Sequence, residues 1–149
     1  MTARPLYRIA FFLAITFFCI GAQASRAFTL FGVNPNMYIA ALPSLAFALP
    51  AFPAYALAAM LGIVLLKTIP AFEFLSLVLL AISFAVFFAA RVSPLHPLPT
   101  NMFLVAFASA AFSAVLDPRF LEHPLYVVEL FVTLGAGAAF ALLSWYARE

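Results

Sequence analysis

Residues 34–66 read NPNMYIAALPSLAFALPAFPAYALAAMLGIVLL, and this run decides the fold. It contains no Asp, Glu, Lys or Arg. As one helix it would measure about 50 Å, longer than the roughly 40–45 Å of a whole bilayer with its headgroups. Pro50 and Pro53 fall in its middle. Each removes a backbone donor and biases the residue before it away from helix. The run therefore predicts two short helices, residues 35–49 and 53–66, joined by a tight re-entrant turn. Each would measure only about 21–23 Å against a hydrocarbon core of about 30 Å. Helices that short need a locally thinned bilayer or shelter from their neighbours.

The rest of the chain has the same character. Of 149 residues, 68% are hydrophobic and 8% charged, a third of the roughly 25% that covers a soluble domain. Nineteen Phe would saturate a water-facing exterior, so lipid is the solvent the sequence asks for. The length suits one domain. Seven scattered Lys and Arg give a net charge of +2 without a run dense enough to follow nucleic-acid phosphates. The single Cys19 excludes an intrachain disulfide and a cysteine-based metal site.

Six transmembrane spans are expected, near residues 8–24, 35–49, 53–66, 71–90, 102–116 and 125–145, forming one all-α membrane bundle. The first run begins after Arg4 and Arg8 and ends in Ala22-Gln23-Ala24, which also describes a secretory signal with a small-residue cleavage site. Since everything downstream is apolar, it is read as a retained anchor. Ser93–Pro99, with Pro94, Pro97 and Pro99, reads as a loop, and Asn101 as the cap of the next span. Trp145 and Tyr146 suit an interfacial belt. Six spans put both termini on one side, taken as cytoplasmic from the basic N-terminal flank. Arg4, Arg8, Arg91 and Arg148 then lie inside, and Arg26, Lys67 and Arg119 outside.

Few residues are candidates for chemistry. Glu129 lies about one turn inside the last span, where an ionisable group is costly and often functional. Thr133, four residues on, shares its helix face and is placed to hydrogen-bond it. The plainer reading is a carboxylate that reaches the interface or suits the helix N-terminus. Lys67 and Glu73 flank Pro70 and pair across that turn, bind a partner's loop, or act as solvated anchors at the interface. His96 and His123 fall in loops on opposite sides, so they do not share a metal. Ala106, Ala110 and Ala114, and again Gly135 and Ala139, repeat at four-residue spacing. Small residues let helix backbones approach closely in lipid, either inside the bundle or against a partner helix. No paired carboxylates on one helix, nucleophile elbow, phosphate-cradling glycine loop or Cys-His set appears. The sequence therefore reads as non-enzymatic, without a cofactor or metal.

The stretch from Gly32-Val33-Asn34-Pro35-Asn36-Met37-Tyr38 through Ala48-Leu49-Pro50 resembles the bacterial rod shape-determining protein MreD family. Met60-Leu61-Gly62-Ile63 and the span Phe74–Phe88 occupy corresponding places. Many members carry an Asp soon after that Gly, where this chain has Leu65, Leu66 and Lys67. The resemblance implies a multi-pass subunit of the cell-elongation machinery in the bacterial cytoplasmic (inner) membrane. It would meet lipid, a bitopic partner such as MreC, and the cell-wall synthases of peptidoglycan synthesis. The MreD family is similar in helix layout to the substrate-binding subunits of energy-coupling-factor vitamin transporters, which makes a small-molecule transporter subunit the alternative.

Overall fold

The centre of the molecule is its shortest helix. The structure, a computed structural model, describes residues 3–27, 29, 32–66, 73–93 and 96–148. Its helices are α1 (Ala3–Ala24), α2 (Met37–Ala48), α3 (Phe52–Leu66), α4 (Phe74–Val92), α5 (Pro97–Leu116) and α6 (Pro124–Arg148). A 3-10 turn, Pro118–Glu122, precedes α6. Helix α2 touches all five others and packs most extensively on α6. Ten of its twelve residues are buried. It is apolar on every side rather than along one stripe, the pattern of a helix enclosed by protein. Its length of about 18 Å is tolerable because its neighbours, not lipid, surround it.

The outer helices carry the apolar exterior. Phe11, Phe18, Leu57, Phe74, Phe103, Phe107, Phe131 and Leu142 are all exposed. Among the described residues, α4, α5, α6 and the stretch Leu6–Ala24 of α1 are long and apolar enough to cross a membrane, while α2 and α3 are shorter. Helix α3 packs on α4 through Phe52, whose ring lies 5.3–5.8 Å from those of Phe84, Phe87 and Phe88.

Two buried tyrosines bind α2 and α3 to α4. Tyr38 Oη donates to Ala59 O at 3.2 Å and lies 2.7 Å from Ser83 Oγ. Tyr55 Oη donates to Ser83 O at 2.8 Å. Gly62 makes room for the Tyr38 ring: a Cβ there would stand 2.7 Å from Tyr38 Cε2. On the opposite side Gly137 of α6 faces Val105 of α5, with a Cβ position 3.0 Å from Val105 Cγ2.

Two sequence expectations are corrected. The proline-rich segment does not remain a loop to Pro99, because α5 begins at Pro97. The first-turn amides of a helix have no intrahelical partner, so prolines there cost no hydrogen bond. His96 is the cap, its Nδ1 accepting from Leu98 N at 3.4 Å. Asn101 therefore is not a cap. It is buried inside α5 and donates Nδ2 to Ser44 Oγ of α2 at 2.6 Å. His123 repeats the arrangement before Pro124, accepting from Leu125 N at 3.2 Å. His96 thus caps the start of α5 and His123 the start of α6.

Candidate functional site: a polar cavity at the N-terminal end of α2

Enclosing α2 creates a problem at its ends, where backbone groups have no intrahelical partner and lipid offers none. At the N-terminal end the sequence answers with four separate groups. Asn36 N donates to Thr133 Oγ1 of α6 at 3.2 Å, and Met37 N to Pro35 O at 3.0 Å. Tyr38 N donates to Gln23 Oε1 of α1 at 3.2 Å, and Ile39 N to Asn36 Oδ1 at 3.1 Å. Asn34 Nδ2 joins the same network by donating to Gln23 O at 2.9 Å. This polar collar draws α1, α2 and α6 together.

Beside the collar lies a cavity of about 420 Å³. Its polar wall includes Asn34, Glu73, Ser76 and Glu129, and its apolar wall Ile63, Leu66, Leu79 and Phe112. Glu129 is half-buried and Glu73 exposed at the rim. Neither carboxylate has a side-chain partner among the described residues. The Ser76 hydroxyl and Asn34 Oδ1 are buried atoms without a hydrogen bond. Ser76 as a whole is 2% exposed. Such groups are rare in folded proteins.

The structure thus brings Glu129 and Glu73 to one cavity, a convergence their separation in sequence conceals. Thr133 is fully buried, and its oxygen accepts from Asn36 N rather than serving Glu129. Glu129 is the sixth residue of α6, beyond the first turn, so it is not a helix-terminal carboxylate. Lys67 lies outside the described residues. Among the described residues no group of three or more His, Cys, Asp and Glu is arranged to hold a metal. Sequence reasoning passed over Gln23, Asn34, Asn36 and Ser76 as sites; their signal was amide and hydroxyl side chains at the edges of apolar runs.

The small-residue candidates lie elsewhere. Ala106 and Ala110 are half-buried, while Ala114, Gly135 and Ala139 are exposed. A Cβ at Gly135 would meet nothing within 4 Å. Inside the bundle it is Gly137 that makes a close contact, with the Val105 side chain of α5.

At the other end of α2 the carbonyls are met by charge. Arg91 Nη2 of α4 donates to Ala46 O at 2.8 Å and to Leu49 O at 3.3 Å. Its guanidinium stands 5.0 Å from the Phe87 ring. Arg8 and Arg148 belong to the same end, over Tyr146 at 4.9 Å and Phe47 at 5.8 Å.

Fold and cavity together define a polytopic α-helical membrane protein with an enclosed central helix. No family model, curated protein or solved structure matches the chain.

Proposed function

We propose that the chain is a non-enzymatic membrane subunit of the bacterial cell-elongation machinery, acting through lateral helix contacts. The observation that carries this reading is the outward placement of small residues. Gly135 and Ala139 of α6 and Ala114 of α5 are exposed on a bundle whose own helix contacts use Gly62 and Gly137. Small residues on a lipid-facing helix let a second helix approach backbone to backbone. Together with the MreD-like stretch around Asn34-Pro35-Asn36, this favours a bitopic partner such as MreC, and through it the cell-wall synthases. The membrane is the bacterial cytoplasmic membrane with both termini inside, the side on which Arg8, Arg91 and Arg148 then lie.

Gly135→Leu tests the contact, since its side chain enters open space and leaves the bundle intact. Co-purification with MreC is expected to fall severalfold while expression and melting temperature hold. Glu129→Gln is expected to leave co-purification unchanged. Unchanged co-purification of the Gly135→Leu protein removes the docking reading. Orientation is checked by topology reporters fused after Phe31 and after Glu149, which should report opposite sides; the same side from both rejects the six-span path.

A second reading, the substrate-binding subunit of a vitamin-type energy-coupling-factor transporter, draws on the polar cavity beside α2. Co-purification with coupling and ATPase subunits instead of MreC would select it.

A further inference from the structure

The cavity at the N-terminal end of α2 contains acceptor chemistry that the described residues leave unpaired. Gln23, Asn36 and Thr133 are engaged by α2 amides. Among the described residues four groups remain without a partner: the Glu129 and Glu73 carboxylates, the Ser76 hydroxyl and Asn34 Oδ1. All present oxygen, and two carry negative charge. Burying a hydroxyl without a partner costs free energy, yet Ser76 is 2% exposed, has none, and lines this space. Among the described lining residues there is no Lys or Arg to attract an anion, and two are carboxylates. A volume of about 420 Å³ is in the range of small-molecule sites. It is roomy for a bare ion, and Leu66, Leu79 and Phe112 offer it no ligands.

We propose that this cavity binds a small organic ammonium compound, an aliphatic amine whose hydrocarbon body lies on the apolar wall. Glu129 supplies the counter-charge, and Ser76 Oγ and Asn34 Oδ1 accept from the ammonium N–H groups. Hydrogen bonds between ionised partners are the strong ones, and the partly enclosed site screens them less than water would. Glu73 at the rim provides for a second ammonium, so an aliphatic diamine fits better than a monoamine. The inference is independent of the docking reading: co-purification reports the one and amine binding the other.

The test is calorimetric titration of the full chain in lipid nanodiscs at low ionic strength, with cadaverine as probe and the corresponding diol as control. Saturable binding of cadaverine and none of the diol is expected. Glu129→Gln should weaken binding roughly tenfold or more, the loss of one charge-assisted hydrogen bond. Ser76→Ala should weaken it severalfold. Glu73→Gln alters an exposed rim position and keeps the fold, so its severalfold loss is measurable even if Glu129→Gln failed to fold. Absence of saturable cadaverine binding overturns the proposal. So does diol binding of equal strength, or cadaverine binding undiminished in the Glu73→Gln and Ser76→Ala proteins.

Discussion

The two ends of α2 solve one problem in different ways. At the N-terminal end, four amides are met by four groups drawn from α1, α6 and the entering loop. At the C-terminal end, one guanidinium from α4 serves two carbonyls. The chemistry follows the helix dipole, with its negative end facing Arg91 and its positive end facing neutral acceptors and the acidic cavity. A distributed solution tolerates the loss of any one member, whereas a concentrated one does not. The difference also explains where ligand chemistry has room: Arg91 is already committed to the backbone, whereas Glu73 and Glu129 have no side-chain partner among the described residues.

The sharpest way to break the comparison is Arg91→Met, which keeps the apolar stem and removes both bonds. It should cost about 3 kcal/mol, the scale of hydrogen bonds made by a charged donor, read as a drop in resistance to denaturing detergent. Thr133→Val is nearly isosteric and orphans only Asn36 N, so it should cost about 1.5 kcal/mol, the penalty of one buried unpaired amide. Equal losses in the two proteins would mean that the collar is no more redundant than the single arginine.

The legible part of the fold was set by proline and length. Pro50 and Pro53 cut a run too long for one helix, and the structure has α2 and α3 on either side of Leu49–Ala51. Prolines were also misread. Pro97 and Pro99 break a helix interior but suit a first turn, and the pairs His96-Pro97 and His123-Pro124 are each a cap followed by a helix start. The polar collar was not legible because its bonds join residues far apart: Gln23 to Tyr38, and Asn36 to Thr133. Local spacing placed Thr133 with Glu129 on one helix face, but the hydroxyl was taken by another helix. Likewise Gly135 and Gly137 differ only in which way they face, and a four-residue repeat cannot tell the outward one from the inward one.

The enclosed α2 has a consequence for how the protein is made. Asn36 and Thr133 are 97 residues apart in the chain. When α2 leaves the ribosome, the helix that will receive its first amide has not been synthesised. At about 18 Å it is too short to rest in lipid as a finished span. Depositing one completed helix after another would leave α2 without its α6 partner until the end. The N-terminal end of α2 gains its Thr133 partner, and α2 its most extensive packing, only once α6 is present. The last helix made completes the second.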